Sequence, residues 1–311
     1  MSASFALALA AAREAASSQN YPKGALYVVA TPIGNLADIS LRALHVIELA
    51  DCIACEDTRH TQALLRAYGI AKPAGGWLSV HQHNEAQGAQ EVVRRLREGA
   101  RVAYASDAGT PGVSDPGARI AAAVQAAGLP VVPVPGASSI TAVLSAAGAA
   151  GEEGGFVFQG FLPAKPQERQ HAVEQLRSET RAVVLLEAPH RIAALAEALA
   201  VLGERSVTVG RELTKQFEEI ATLPCTGLSA WVAGSPQRSK GEFALVLHPV
   251  AAPQDDQEPL RVLRLLLAEL PVKSAVKLAA DITGAPRNAL YEAALKEKAD
   301  ASVGSPAANP P

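Results

Sequence analysis

Leu26-Tyr27-Val28-Val29-Ala30 runs into Thr31-Pro32-Ile33-Gly34-Asn35-Leu36, and Arg101-Val102-Ala103-Tyr104-Ala105 runs into Ser106-Asp107-Ala108-Gly109-Thr110-Pro111-Gly112. Each is a short apolar run closed by a polar turn containing glycine and proline. Short apolar runs bounded by such turns read as strands buried on both faces. Cys52 to Cys55, ending in Glu56-Asp57-Thr58-Arg59, and Val131 to Val134, ending in Pro135-Gly136-Ala137-Ser138-Ser139, repeat the unit. Helical patterns, such as Ser40 to Leu49, lie between them. Strand, turn and helix in alternation predict an α/β fold with a largely parallel sheet. Ligands of such sheets bind beyond the carboxyl ends of the strands, where this stretch collects its polar residues.

Outward from this core the chain divides. The Gly-rich break at Gly148 to Gly155 marks the expected boundary between an N-terminal α/β domain, 24–150, and a C-terminal α/β domain, 151–250. The second half carries apolar runs at Phe156 to Phe158, Val183 to Leu186, Val207 to Val209 and Phe243 to Leu247. A Pro- and Gln-containing linker follows. Leu260, Leu263, Leu267 and Leu270 then recur at helical spacing, and Thr283-Gly284-Ala285-Pro286 separates two further helical patterns. This predicts a helix-turn-helix-like segment over 258–298, slightly basic, suited either to capping the fold or to touching nucleic acid. Residues 1–23 read as a flexible, weakly helical tail. The apolar stretch Phe5 to Ala12 lacks a preceding basic residue and meets Arg13-Glu14 at once, unlike a secretory signal. Residues 299–311 read as a disordered tail.

The composition limits the function classes. Of 311 residues, 49% are apolar and 19% charged, which is globular. A net charge of −3 excludes a chain that coats nucleic acid by charge alone, though not a local basic groove. No apolar run is long enough for a transmembrane helix. Three cysteines, Cys52, Cys55 and Cys225, are too few for a disulfide framework and suit a cytoplasmic protein. No metal site is expected: Cys52 and Cys55 sit inside an apparent strand, with only His60 near. His81, His83 and Glu85 form a polar cluster that a metal-dependent hydrolase would use, but Asn84 there also reads as a helix N-cap. Dinucleotide, P-loop, serine-hydrolase and zincin motifs are absent from the sequence.

In order along the chain stand Thr31-Pro32-Ile33-Gly34-Asn35-Leu36, Glu56-Asp57-Thr58-Arg59, Ser106 to Pro111, Asp115-Pro116-Gly117 and Pro135-Gly136. They are followed by Gly160-Phe161-Leu162-Pro163-Ala164-Lys165, Glu187-Ala188-Pro189-His190-Arg191, Arg211-Glu212-Leu213-Thr214-Lys215 and Lys240-Gly241-Glu242. Taken together, from Gly24 to Leu295, they resemble the tetrapyrrole-methylase family, and within it the branch acting on ribosomal RNA. The resemblance implies two α/β domains with S-adenosylmethionine held in the cleft between them, a small C-terminal helix-turn-helix-like segment and a homodimer. It implies 2′-O-methylation of a decoding-centre cytidine in 16S rRNA of the small ribosomal subunit. Carried over locally, it places Pro32, Gly34, Asp107, Gly109, Thr110, Val113, Ser138, Ser139, Leu186 and Ala188 around the donor. Ala137 stands where relatives often carry proline; the loop amides remain.

Methyl transfer to a weakly acidic hydroxyl gains chiefly from alignment, and also from a base or a cation. Candidate bases are Glu56, Asp57, Glu187 and Glu212; candidate cations are Arg59, Arg191, Arg211 and Lys215. Two other readings compete. A methylase of a small tetrapyrrole such as a precorrin shares the fold and donor, but the Glu56 to Arg59 loop and the appended helices argue against it. A non-catalytic RNA-binding protein is opposed by the intact Asp107 to Gly112 loop.

Overall fold

The computed structural model describes residues 5–81, 83–113, 115–149, 155–251 and 257–303. The early apolar runs form β1 (Leu26–Val29), β2 (Cys52–Cys55), β3 (Trp77–Ser79), β4 (Val102–Ala105) and β5 (Val131–Val134). They pair in the order β3-β2-β4-β1-β5, and every pairing is parallel. β2 and β4 are buried along their whole length, which is why they read as unbroken apolar runs. α1 (Ala6–Ala16), α2 (Leu41–Leu49) and α3 (Thr58–Ala67) cover one face, with Leu9, Leu44, Ile47 and Leu65 clustered on Tyr27, Val29 and Ile53. α4 (Glu85–Arg97) and α5 (Gly117–Ala126) cover the other, where Val92, Leu96, Ile120 and Val124 cluster with Leu26, Ala54 and Tyr104. Neighbouring strands β1 and β4 thus lead to helices on opposite faces. Their carboxyl-end loops meet at the carboxyl edge of the sheet, where Thr31 bridges to Gly109.

The N-terminal tail corrects the expectation for 1–23. Phe5, Leu9, Ala12 and Ala16 recur at helical spacing, and α1 buries Leu9 and Ala12 against the first sheet's core. The Phe5 ring meets the Tyr68 ring edge-on at 5.1 Å, and Arg13 forms an ion pair with Glu48 of α2.

The second sheet follows α6 (Ser139–Ala147). It comprises β6 (Phe156–Gly160), β7 (Ala182–Glu187), β8 (Ser206–Arg211), β9 (Glu219–Pro224) and β10 (Phe243–Leu247), in the order β6-β7-β10-β8-β9. β6 and β7 are parallel; the remaining pairs are antiparallel. α7 (Pro166–Leu176), α8 (Ile192–Leu199) and α9 (Leu228–Ala233) pack on one face through Val173, Leu195 and Leu228. The opposite face is covered by α6, whose Ile140, Val143 and Ala147 cluster with Val184, Leu213 and Ala244. α6 precedes the expected boundary at 150 yet packs on the second sheet. Residues 150–154 themselves lie outside the described residues. Both sheets belong to one compact unit, Met1–Val250.

A separate unit begins at Ala251. α10 (Gln257–Glu269), α11 (Val272–Thr283) and α12 (Arg287–Val303) surround a small core of Leu263, Val276, Ala279, Leu290 and Ala294. Leu260, Leu267 and Leu270 pack against that core, as their spacing predicts. α12 runs to Val303, so 299–303 are helical where composition suggested disorder. The helix breakers Gly304 and Pro306 come only afterwards. Residues 304–311 lie outside the described residues. No described helix is long and apolar enough to cross a membrane.

Candidate functional site

The site grows from the loops after β1 and β4. Thr31 and Gly109 exchange both backbone hydrogen bonds, at 3.0 and 3.1 Å. The Thr31 hydroxyl donates to the Ser106 carbonyl at 3.2 Å, and the Thr110 hydroxyl donates to the Ala137 carbonyl at 2.9 Å. Asp115 braces the same loop by accepting from the Gly112 and Gly117 amides and the Tyr104 hydroxyl. Three chain segments are thereby cross-linked into one wall. The opposite wall comes from the ends of β7 and β8 and the start of β10. Between them lies a cavity of about 400 Å³, the size of a small-molecule site.

Seven of the ten residues expected around a donor line this cavity: Gly109, Thr110, Val113, Ser138, Ser139, Leu186 and Ala188. Ser138 takes the N-cap position of α6, but its side chain caps no amide. The helix start, whose first amides lack intrahelical partners, therefore forms part of the wall. Pro32, Gly34 and Asp107 are not on the lining. Pro32 is buried, and Gly34 lies against the Lys215 side chain in a neighbouring hollow. Asp107 accepts from the Asp57 amide at 3.4 Å, joining the β4 loop to the start of α3. Ile33, Ile140, Phe161, Leu213 and Phe243 also line the cavity. Ile33, Phe161 and Leu213 stand within the motifs but bear no polar group to mark a role, and Ile140 and Phe243 belong to apolar stretches that carry no mark of which members face a ligand. Glu242, of the Lys240-Gly241-Glu242 motif, also lines the cavity.

The catalytic candidates fall into separate places. Glu187 is on the cavity wall, with its side chain fully buried. Its Oε1 accepts from the Ala188 amide at 2.9 Å and lies 3.1 Å from Arg191 Nε; Oε2 has no hydrogen-bond partner among the described residues. A buried carboxylate oxygen without a partner is unfavourable until something donates to it. Arg191 also donates to the Leu162 carbonyl. Lys215 bridges Glu212 at 2.7 Å and Glu242 at 3.0 Å. Burial opposes charge on both Lys215 and Glu212, yet their pairing wins, raising the lysine pKa and lowering the glutamate's. Glu212 and Thr214 sit in the left-handed region, φ 51° and 66°. Such strain collects where surrounding contacts enforce it.

Arg211 is buried at the end of β8, with Nε 3.5 Å from Glu219. Glu219 also binds Arg238, whose guanidinium stacks 4.3 Å over Trp231. Asp57 caps α3 and holds Arg59 through amide and guanidinium; hydrogen bonding to that side chain brings its pKa down to about 2. Glu56 is raised instead, by burial and then by Asp107 and Asp115. Glu56, Asp57, Arg59 and Arg211 are not on the cavity lining.

The other polar motifs build turns. Asn84 stands at the N-cap of α4 without capping it; its side chain accepts from the His81 amide and donates to the Ser79 carbonyl. Glu85 pairs with Arg119. Cys52 and Cys55 are buried, and burial pushes the Cys55 thiol up to about 11. Among the described residues, no group of three or more His, Cys, Asp or Glu side chains is placed to hold a metal.

Residues 25–228 match the family model for Tetrapyrrole (Corrin/Porphyrin) Methylases, and residues 253–298 match that of the RsmI C-terminal HTH domain. Ribosomal RNA small subunit methyltransferase I of Pseudomonas aeruginosa is 45% identical, the match covering 88% of this chain and 98% of that protein. The Escherichia coli O157:H7 protein of the same name is 44% identical, with 90% and 98% covered. The chain belongs to the ribosomal RNA small subunit methyltransferase I family of tetrapyrrole methylases. Among solved structures, diphthine synthase aligns with TM-score 0.54 at 17% identity, over 72% of this chain and 90% of that one. The cobalt precorrin-4 methyltransferase CbiF aligns at 0.52 and 17%, over 73% and 98%. These two show a common fold.

As a methylase of this family, the chain uses S-adenosylmethionine as its methyl donor. The cavity suits that molecule. Ile33 and Ile140 on one wall and Leu213 and Phe243 on the other offer apolar surface to the flat faces of an adenine, while Phe161 stands open to solvent. The helix start, with its unpaired amides, matches its polar edge and hydroxyls; the Glu187 carboxyl lies buried behind the wall.

Proposed function

We propose that the chain methylates the ribose 2′-hydroxyl of a decoding-centre cytidine in 16S rRNA of the small ribosomal subunit, as a homodimer in the cytoplasm. The observation that carries this reading is the pairing of two parts in one chain. A methylase unit holds the 400 Å³ cleft, and a separately packed helical unit matches the RsmI-type C-terminal domain. A small tetrapyrrole needs only the first part; an acceptor embedded in a large RNA gives the second a purpose, as a docking element.

The donor is held by Gly109, Thr110, Val113, Ser138, Ser139, Leu186 and Ala188, with Pro32, Gly34 and Asp107 supporting the loops behind them. When bound, it supplies a methyl group on a sulfonium, whose departure as a neutral thioether needs no metal. The protein's work is to align the acceptor oxygen with that methyl and exclude water. Asp57 and Glu212 are engaged by Arg59 and Lys215 and make poor proton acceptors. Of the candidate bases, Glu187 is the residue on the cavity wall, and its buried carboxyl must turn into the cavity to take a proton.

The test is to incubate the protein with labelled S-adenosylmethionine and small subunits lacking the modification, then digest the RNA and identify the labelled nucleoside by mass spectrometry. The expected product is 2′-O-methylcytidine from the decoding region. Label on a base, or on an added precorrin and not on RNA, overturns the reading.

A further inference from the structure

β6 is the edge strand of the second sheet, and its alternation breaks at its end. Phe156, Val157 and Phe158 pair in register with Ala182, Val183 and Val184, but the next pair is Gly160 with Leu185, leaving Gln159 as an inserted residue. Gly160 takes φ 69°, which a residue with a Cβ rarely adopts. Because side chains alternate with period two, one inserted residue exchanges the faces of everything after it. Val157 packs with the α7–α9 core, and an unbroken strand would send Phe161 to that same side. With the bulge, Leu162 enters that core, buried to 2% exposure. Phe161 emerges on the cavity lining beside Leu186 and Glu187, 49% exposed. Val113, from the β4 loop of the other sheet, is the second large apolar side chain of the lining that stays open to solvent. The edge strand β6 already leaves Phe156 and Phe158 exposed, and the bulge adds Phe161, which of the three is the one on the cavity lining.

We propose that Phe161 stacks on the base of the nucleotide being methylated, holding it unstacked from the RNA while its ribose enters the cleft. The inference rests on the functional reading above. A ribose hydroxyl within folded RNA reaches a cleft only if its nucleotide is splayed out. The exposed base then needs a surface with an apolar face and no demand on sequence, which a phenyl ring supplies.

The test measures methyl transfer to unmodified small subunits and, separately, S-adenosylhomocysteine binding by calorimetry, for the wild type, Phe161→Ala and Phe161→Trp. Stacking on an aromatic side chain corresponds to about 5- to 150-fold in affinity. The expected result is a KM for subunits raised by that factor in Phe161→Ala, near-normal in Phe161→Trp, with S-adenosylhomocysteine affinity within twofold throughout. An unaltered KM in Phe161→Ala, alongside an active wild type, overturns the stacking role and leaves the functional reading standing. A parallel loss of S-adenosylhomocysteine affinity also overturns it, because Phe161 would then be a donor contact. A wild type that transfers nothing to subunits overturns both.

Discussion

Glu187→Gln separates a ligand-binding carboxylate from a structural one. The substitution keeps shape and volume and removes the charge. In the ligand-free protein its effects oppose each other. The unpartnered Oε2 is replaced by a neutral amide atom, which reduces the penalty of burying an ionised oxygen. Arg191, 3.1 Å from Oε1, loses its counter-charge, while the Ala188 amide keeps its acceptor. Because the two effects oppose each other, the loss of stability should stay below the roughly 3–5 kcal/mol that removing one partner of a buried ion pair costs. In the complex nothing offsets the loss. The Glu187 carboxyl is fully buried, so it must turn into the cavity to accept from a donor ammonium or ribose hydroxyl; such a charge-assisted hydrogen bond contributes about 1.5–3 kcal/mol. That corresponds to a Kd for S-adenosylhomocysteine weakened about 10- to 150-fold. Isothermal calorimetry reads the binding, and urea unfolding followed by tryptophan fluorescence reads the stability. A variant that binds within twofold of wild type but unfolds several kcal/mol more easily would refute the reasoning, making Glu187 a brace for Arg191 and the α8 start.

Three further outcomes follow from the same geometry. Gly241→Ala places a Cβ 2.5–2.6 Å from the Glu212 side chain at φ 86°; Glu212 is pinned by Lys215 and the Glu242 amide. The variant should lose more than about 2 kcal/mol by denaturant titration, with donor affinity falling too because Glu242 and Phe243 line the cavity. Glu56 has a raised pKa in the fold, so the folded state binds its proton more tightly than the unfolded chain. Ionised Glu56 then opposes folding at neutral pH, and Glu56→Gln should be the more stable protein at pH 7–8. That advantage vanishes below the ordinary glutamate pKa of about 4.3, and melting curves across pH 4–8 check it. Truncation after Val250 removes a unit with its own core. The remainder should bind S-adenosylhomocysteine normally and lose methyl transfer to subunits; retained transfer would end the docking role of α10–α12.

Much of the architecture was legible because its signals are local. β2 and β4 are buried on both faces and carry unbroken apolar runs, and the turns after β1 and β4 hold the residues that a crevice at strand ends requires. The motif order also carried the family, and with it many of the residues that line the cavity, from Gly109 to Ala188. Other features were illegible because long-range packing decides them. Residues 1–23 look like a tail until Leu9 and Ala12 find the face of α2. Asp57 and Arg59 look catalytic in a motif, but the capping geometry of α3 closes them on each other. α6 follows a first-sheet strand in sequence and covers the second sheet in space.

Phe161 shows the division most clearly. Composition, alternation and motif order determined that this chain forms two α/β layers, that its polar loops gather at strand ends, and that a helical segment is appended beyond residue 257. They hold no record of which face a residue takes once a strand slips by one. That depends on register against β7, set by backbone hydrogen bonding across neighbouring strands. The same holds for the unpartnered oxygen of Glu187: a carboxylate at a strand end is ordinary in sequence, and only the packing of β7 against its neighbours buries it at the cavity wall without a full set of partners.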